Sequence, residues 1–126
     1  MAQKVDILDS DRWFTNADYA INCYIKQADG LTAQDVSGWT FSWLLKRRAT
    51  DPDANAVLAR TSSSLVRPIA IIDAAIGHVR IPIGAGDTDG TVKSGMYTHE
   101  LKRTDTGFEV PVIVGLAKLL RSAHLS

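Results

Sequence analysis

The stretch that decides the fold runs from Ala75 to Arg103. It reads Ala-Ile-Gly-His-Val-Arg-Ile-Pro-Ile, then Gly-Ala-Gly-Asp-Thr-Asp-Gly-Thr-Val-Lys-Ser, then Gly-Met-Tyr-Thr-His-Glu-Leu-Lys-Arg. Apolar and polar side chains alternate in the first and last segments, which is typical of a β-strand with one buried face. The middle segment, Gly84–Ser94, has the glycine and aspartate content of a polar loop. We therefore predict two strands, His78–Ile83 and Gly95–Arg103, joined by a long loop.

The same alternation recurs along the rest of the chain. It is clearest at residues 19–27 and at residues 39–47, where four large side chains share one face: Trp39, Phe41, Trp43 and Leu45. Aromatic rings bury about 150–250 Å² each, so this face is expected to anchor the core. Further strands are predicted at Val5–Leu8, 56–61, Ile69–Asp73 and Phe108–Val114. Turn signals separate these segments regularly, which indicates an antiparallel sandwich or barrel of seven to eight strands.

Three local assignments stay open on this reasoning. The tail Leu116–Leu125 fits either a helical stripe or a continued strand, and the strand is favoured. Pro82 has no N–H to donate, so it indicates either an edge strand or the end of a strand. Residues 31–38 form a polar connection anchored by Leu31 and Val36, with room for a single helical turn.

Length, charge and cysteine content limit the classes of function. The 126 residues suit a single domain, residues 1–126. Fourteen basic and fourteen acidic residues leave no excess of cations for a general phosphate-binding surface, so no nucleic acid is expected as a partner. The single cysteine, Cys23, excludes a disulfide framework within the chain and fits folding in a reducing cytoplasm. No apolar run is long enough for membrane insertion.

Two aspartate-rich segments were weighed as metal sites. Asp51–Asn55 begins like a calcium loop, but its sixth position is Ala56 instead of glycine and its twelfth is Ser62 instead of glutamate. Asp87–Gly90 has two carboxylates, and no bidentate acid follows at the required distance. Both segments are interpreted as solvated turns, and no metal site is predicted.

No arrangement of nucleophile and base points to catalysis. The three histidines, His78, His99 and His124, lack ligand spacing, and Ser62–Ser64 reads as a run of turn residues. His99 is expected to be partly buried and hydrogen-bonded, and His78 to face solvent or a partner. Cys23 lies on an apolar strand face, where a thiol acts as a small hydrophobe. We predict no enzyme activity, no catalytic residue and no cofactor.

Three surface features could mark a binding site. Lys46-Arg47-Arg48 is the one basic run, but the nearby aromatics have core-facing parity, so solvated charges are the preferred interpretation. Tyr24 falls on the polar face of its strand and is the best candidate for stacking on a carbohydrate. The loop Gly84–Ser94 is the preferred candidate for a variable contact surface.

Three motifs carry a family resemblance. In order they are the turn Asp29-Gly30, the strand Gly77-His-Val-Arg-Ile81, and the strand Gly95-Met-Tyr-Thr-His-Glu-Leu101. In this order they resemble the immunoglobulin-like β-sandwich at the N-terminus of upper baseplate proteins of tailed phages, and related domains of prophage tail and fibre proteins. The resemblance covers roughly residues 18–116 and rests on patterns of fold.

The resemblance implies an antiparallel immunoglobulin-like sandwich in a non-enzymatic virion protein. Its partners would be other tail, baseplate or fibre proteins, and copies of the chain would assemble as a ring or trimer. The protein would be made in the cytoplasm of the bacterial host and reside in the virion. The alternative is a free-standing binding module for carbohydrate or a cell-surface protein. No site residue is carried over, because the family has no catalytic residues.

Overall fold

A computed structural model describes residues 2–88, 92–107 and 109–121. Its strands are, in chain order, β1 (Gln3–Lys4), β2 (Tyr19–Tyr24), β3 (Phe41–Lys46), β4 (Leu58–Thr61), β5 (Ala70–Asp73), β6 (His78–Ile83), β7 (Gly95–Arg103) and β8 (Val110–Leu119). The helices among the described residues are short 3₁₀ turns, and none could cross a bilayer. The predicted bounds of β6 and β7 are confirmed.

The strands form two sheets. The larger has the order β1-β8-β7-β3-β4 and the smaller the order β2-β6-β5. All pairs of neighbours are antiparallel except β1 and β8, which run parallel. β2, β6 and β5 take the places of immunoglobulin strands B, E and D, while β3, β7 and β8 take those of C, F and G, with β4 added beside C. The all-β, immunoglobulin-like sandwich of eight strands is therefore confirmed, with one parallel pair at its edge.

The core lies between the inward faces of the two sheets. Phe41, Trp43 and Leu45 of β3 are fully buried, as predicted from their shared parity. They are joined by side chains from both sheets and from the N-terminal segment, chiefly Trp13, Ile21, Val79, Ile81, Leu101, Ile113 and Leu119. Trp39 precedes β3 and is half-buried, because the Arg103 guanidinium covers its ring at 3.8 Å.

The N-terminal segment runs beside β8 for longer than β1 itself. The prediction of a strand at Val5–Leu8 is wrong in its bounds, yet the hydrogen bonding continues there: the Val5 N–H donates to Val114 O at 2.9 Å and the Ile7 N–H to Leu116 O at 2.8 Å. Gly115 permits this approach, since a Cβ there would lie 1.9 Å from the Val5 carbonyl oxygen. β1 has only two residues and pairs in parallel at the sheet edge, so no alternation in its sequence predicts its bounds.

β8 is a continuous strand to Leu119 and Leu120 forms a bridge with Phe14, so the preference for strand over helix in the tail is confirmed as far as Leu120; residues 122–126, which include His124, lie outside the described residues. Alternation over Phe108–Val114 sets Phe108, Val110, Val112 and Val114 on the apolar face, opposite Glu109, Pro111 and Ile113, and this predicted parity is wrong from Ile113 onward. A bulge shifts the register between Leu101 and Lys102, so Ile113 is buried while Val114 turns outward. One extra residue in a strand exchanges its two faces from that point on.

Three further expectations are settled by the structure. Pro82 is the penultimate residue of β6, a central strand, so its strand-end placement is confirmed and its edge placement is wrong. Val36 is fully buried, but Leu31 is 84% exposed and anchors nothing. Residues 31–38 contain no helical turn, because Asp29 accepts the N–H groups of Leu31 and Thr32 and closes a tight turn instead.

Candidate functional site

His99 is a buried structural residue that connects β7 to β3 and to the N-terminal segment. It is 2% exposed, and its Nδ1 accepts a hydrogen bond from Trp43 Nε1 at 3.2 Å. With Nδ1 acting as acceptor, the proton sits on Nε2, which donates to the Val5 carbonyl at 2.7 Å. Burial lowers the pKa of His99, against the opposing effects of the Val5 hydrogen bond and the Asp6 charge. A neutral imidazole with both nitrogens engaged is not placed for catalysis, and the expected buried, hydrogen-bonded role is confirmed.

The residues around His99 reproduce landmarks of immunoglobulin domains. Tyr97 lies two residues before His99, and its hydroxyl donates to the Lys93 carbonyl four residues upstream at 2.5 Å. This is the arrangement of a tyrosine corner, in which the tyrosine precedes the second cysteine of the sheet-bridging disulfide by two residues. His99 therefore occupies the place of that cysteine. The sequence reasoning missed this correspondence, although the signal is present as the spacing Tyr97-x-His99 in β7.

Cys23 lies on β2 and is a buried free thiol. Burial raises its pKa to about 12, so the thiolate that a nucleophile requires is not formed near neutral pH. The expectation of a small hydrophobic residue in the core is confirmed.

Asp53 and Asp87, one from each turn segment, bind the protein's own cations and backbone. Asp53 accepts hydrogen bonds from Lys46 Nζ at 2.5 Å and Lys102 Nζ at 3.4 Å, and the bond from Lys46 leads the interactions that lower its pKa. Asp87 is paired with Arg60 and accepts the Gly84 N–H at 2.6 Å. Among residues 2–88, 92–107 and 109–121 no group of three or more potential ligands could hold a metal ion. Asp89 and Gly90 lie outside the described residues.

The basic run does not form a patch with the aromatic residues near it. Lys46 is buried against Asp53, while Arg47 and Arg48 are exposed at the end of β3. Phe41 and Trp43 face the core, so neither ring is available to stack on a base. This arrangement offers no surface that combines free cations with exposed rings.

Tyr24 and His78 form an aromatic pair on the solvent-facing side of the smaller sheet. Their ring centroids are 4.4 Å apart and the planes are 19° from parallel. Asn22 Oδ1 holds the pair in place, since it lies 3.0 Å from His78 Nε2 and 3.2 Å from Arg80 Nε. Stacking covers one face of each ring, and Tyr24 remains 45% exposed with polar groups beside it. Tyr24 is exposed as expected, and His78 is half-buried.

The larger sheet carries a shallow apolar depression on its outer face. It encloses about 460 Å³ and is lined by Lys4, Leu44, Lys46, Ala49, Thr98, His99, Glu100, Val114, Gly115 and Leu116. We call this surface the outer face. Leu116, which is 42% exposed, lies on β8 beside Thr98 of β7 in the strand register. The sequence reasoning missed the outer face because the wrong parity on β8 turned Val114 inward.

Charges at the rim of the outer face are neutralised within the chain. Lys4 lies 3.5 Å from Asp6, Lys46 bonds Asp53, and Glu100 lies 3.5 Å from Lys102. The centre of the face is left to aliphatic side chains. A patch with an apolar centre and a charged rim has the anatomy of a protein–protein contact surface.

Parts of the loop Gly84–Ser94 are held against the body of the protein. Thr88 and Val92 are buried, and the Ala85 N–H donates to Asp18 Oδ1 at 2.9 Å. Residues 89–91, its centre, lie outside the described residues. Its use as a variable contact surface stays a prediction.

Comparisons with known proteins place the chain in no family. No protein-family model and no curated protein sequence matches it. Among solved structures it is similar to NK cell receptor Nkp44, described as a triggering partner in natural cytotoxicity, at 14% identity over 97% of this chain and 99% of that chain, with a TM-score of 0.44. A likeness of that degree adds nothing to the fold assignment, which rests on the strand order and the tyrosine corner.

Proposed function

We propose that the protein is a non-enzymatic assembly or adaptor module of a phage or prophage virion, associated with the tail, baseplate or fibre. It acts through protein–protein contacts, and its partners are other virion proteins. The immunoglobulin-like strand order and the motif resemblance described above support this assignment. The buried Cys23, and the buried His99 with both ring nitrogens hydrogen-bonded, favour a structural role over a chemical one.

The observation that carries the proposal is the apolar centre of the outer face. Leu44, Val114 and Leu116 cluster on a sheet surface with no described element packed over them. Isolated exposed apolar residues are ordinary, but a contiguous patch rimmed by paired charges is typical of a contact site. A rigid sheet that displays such a patch needs no conformational change to dock onto a neighbour.

The test is incorporation into particles released by the strain that encodes the chain. We expect tagged wild-type protein to co-sediment with purified virions and to be detected in them by mass spectrometry. Leu116→Glu places a charge in the apolar centre and should reduce incorporation at least about tenfold, because a buried unpaired charge is costly at an interface. Leu31→Glu is the matched control, since Leu31 is exposed on a remote turn. Absence of the wild-type protein from the particles would refute the proposal.

The second candidate is a free-standing carbohydrate-binding or cell-surface-binding module, and the Tyr24–His78 pair is the observation that favours it. Stacked rings on a sheet face can pack against the apolar face of a sugar ring. Binding on a glycan array that is lost in Tyr24→Ala and kept in Leu116→Glu would support this candidate. Loss in Leu116→Glu alone would instead point to the outer face.

A further inference from the structure

The free edge of the smaller sheet carries an unusual concentration of exposed apolar side chains. Ten large hydrophobic residues are exposed among the described residues, and five of them lie between positions 65 and 76. We call these five the edge patch: Leu65 (101% exposed), Val66 (66%), Ile71 (37%), Ile72 (44%) and Ile76 (44%). They flank or belong to β5, the last strand of its sheet. The edge patch is separate from the outer face, which belongs to the other sheet.

The position of Ile71 indicates that the core is not fully covered at this edge. Ile71 lies opposite Val79 in the register of β5 and β6, and Val79 is fully buried. Side chains directly opposite each other in a sheet point to the same face. Ile71 therefore occupies a core-facing position, and it remains exposed because no described strand lies beyond β5.

One side of the β5 backbone also has no strand partner among the described residues. Among the described residues only β6 pairs with Ala70–Asp73, so the N–H and C=O groups on the other side of the strand face solvent. A row of such groups is a template for one further strand. An extended polypeptide segment with apolar side chains is therefore the chemistry that this edge fits.

Each of the other sheet edges carries at least one protecting feature among the described residues. At β4 the Thr61 N–H donates to Ser64 Oγ at 2.9 Å, and the Thr61 carbonyl accepts the Ile69 N–H at 3.0 Å. At β2 the Tyr24 carbonyl accepts a bond from Gln3 Nε2 at 3.2 Å. β1 is two residues long and includes Lys4. Lysine, short length, bulges and capping side chains are the usual protections of an edge. β5 is itself short and has a bulge between Ile71 and Asp73, but its described residues accept no capping side chain and its one charge is Asp73, at its end.

We propose that β5 of a second copy of this chain pairs antiparallel with β5 across a two-fold axis. The two smaller sheets then form one continuous sheet with the order β2-β6-β5-β5-β6-β2. Leu65, Val66 and Ile76 of each copy lie at the ends of the joint and cover the isoleucines of the partner copy. This inference does not depend on the virion assignment.

A second copy is favoured over a foreign strand for two reasons. In an antiparallel pairing of two copies of Ala70–Asp73, the two Asp73 side chains lie at opposite ends of the joint, so the one charge of the strand does not meet its like. The chain has a formal net charge of zero, so two copies approach without overall repulsion. A two-fold contact also pairs the β5 edges of both copies at once and closes that contact at a dimer, which avoids growth into fibres through β5.

The first test is the mass of the protein in solution as a function of concentration, by light scattering and sedimentation. We expect a reversible shift from 13.7 kDa to twice that mass. Ile72→Lys sets two ammonium groups into the joint of each dimer and should raise the dimer dissociation constant about 100-fold or more. Leu31→Lys is the control with the same change at a remote exposed position, and it should dimerise like the wild type. A monomer at every concentration, or a dimer that Ile72→Lys leaves intact, overturns the proposal.

The second test uses the unaltered protein, so it does not depend on how a variant folds. Backbone amides of Ala70–Asp73 should exchange more slowly with deuterium at high protein concentration than at low concentration. β4, a strand of equal length at the edge of the other sheet, is the internal control and should show no change. Concentration-dependent protection at β4 or on the outer face, without protection at β5, refutes the two-fold β5 pairing.

Discussion

Replacing His99 by leucine should markedly lower the free energy of unfolding, because two groups lose their hydrogen-bond partner. The imidazole satisfies two groups at once, the Trp43 indole N–H and the Val5 carbonyl oxygen. Leucine fills a similar volume and satisfies neither. An orphaned buried donor or acceptor costs about 1–3 kcal/mol, so the loss should be about 2–6 kcal/mol.

Urea denaturation followed by tryptophan fluorescence measures the loss. The denaturation midpoint should fall with little change in the slope of the unfolding free energy against urea. His78→Leu is the matched control, because it removes an imidazole of the same size from a half-buried site. A loss below about 1 kcal/mol for His99→Leu would refute the argument, since it would mean that neither group is stranded.

A double-mutant cycle isolates the bond to the indole. Trp43→Phe removes the N–H donor, so it also leaves His99 Nδ1 without a partner. The double variant His99→Leu, Trp43→Phe should therefore lose less stability than the two single variants together. Strictly additive losses would contradict a direct interaction between the two side chains.

The same histidine predicts a dependence of stability on pH. Burial lowers the pKa of His99 in the folded state below the ordinary value of 6.5. As the pH falls through about 6.5, the unfolded chain takes up a proton that the folded chain does not, so the free energy of unfolding decreases. This contribution is restored as the pH rises again. It should be absent in His99→Leu, and equal slopes for the two proteins between neutral pH and pH 5.5 would contradict it.

Three further outcomes follow from the packing. Trp43→Ala should cost about 3–5 kcal/mol of unfolding free energy, because the ring is fully buried. A loss below about 1 kcal/mol would mean that the Trp43 side chain does not face the core. Gly115→Ala should release the N-terminal segment, visible as faster hydrogen exchange at the amides of Val5 and Ile7, because its methyl group would occupy the site of the Val5 carbonyl; unchanged exchange would contradict this. Cys23 should react with a thiol reagent only at the rate of unfolding, and fast labelling of the native protein would contradict its burial and raised pKa.

The strands that could be predicted are those with an undisturbed period of two. β6 and β7 begin beside glycine and alternate without interruption, so their bounds were predicted to the residue. The heavy apolar face of β3 was likewise assigned correctly, because three consecutive odd positions carry large buried side chains. In these strands local pattern and tertiary packing agree.

What could not be predicted depends on pairing between distant residues. β1 owes its place to its parallel alignment with β8, and nothing in its own two residues encodes that partner. The bulge opposite Leu101 exchanges the faces of β8, which hid the outer face. Gly115 carries its meaning only through the Val5 carbonyl that packs against it. Pro82 is tolerated in a central strand because it lies near the end of that strand. Composition alone does not distinguish this position from one in an edge strand.

The candidate surfaces were harder to foresee than the absence of chemical motifs. Tyr24 was identified because strand parity alone set it outward. The edge patch was not, because Ile71 looks like any core isoleucine until β5 is known to be the last strand. The spacing Tyr97-x-His99 could have predicted the tyrosine corner, but histidine in place of the usual cysteine made it hard to recognise.

The bond between Asp6 and the Leu116 N–H joins residues 110 positions apart, and β1 pairs with β8 over a similar separation. During synthesis β1 therefore has no partner until the chain has been made through Val114 of β8. At typical elongation rates of about 5–20 residues per second, that interval is roughly 5–20 s. Throughout it, Ile7 and Trp13, both buried in the finished protein, have no sheet to pack against. The segment from β1 to Trp13 is thus among the last parts of this sandwich to fold, and for those seconds a chaperone or a premature partner could bind it.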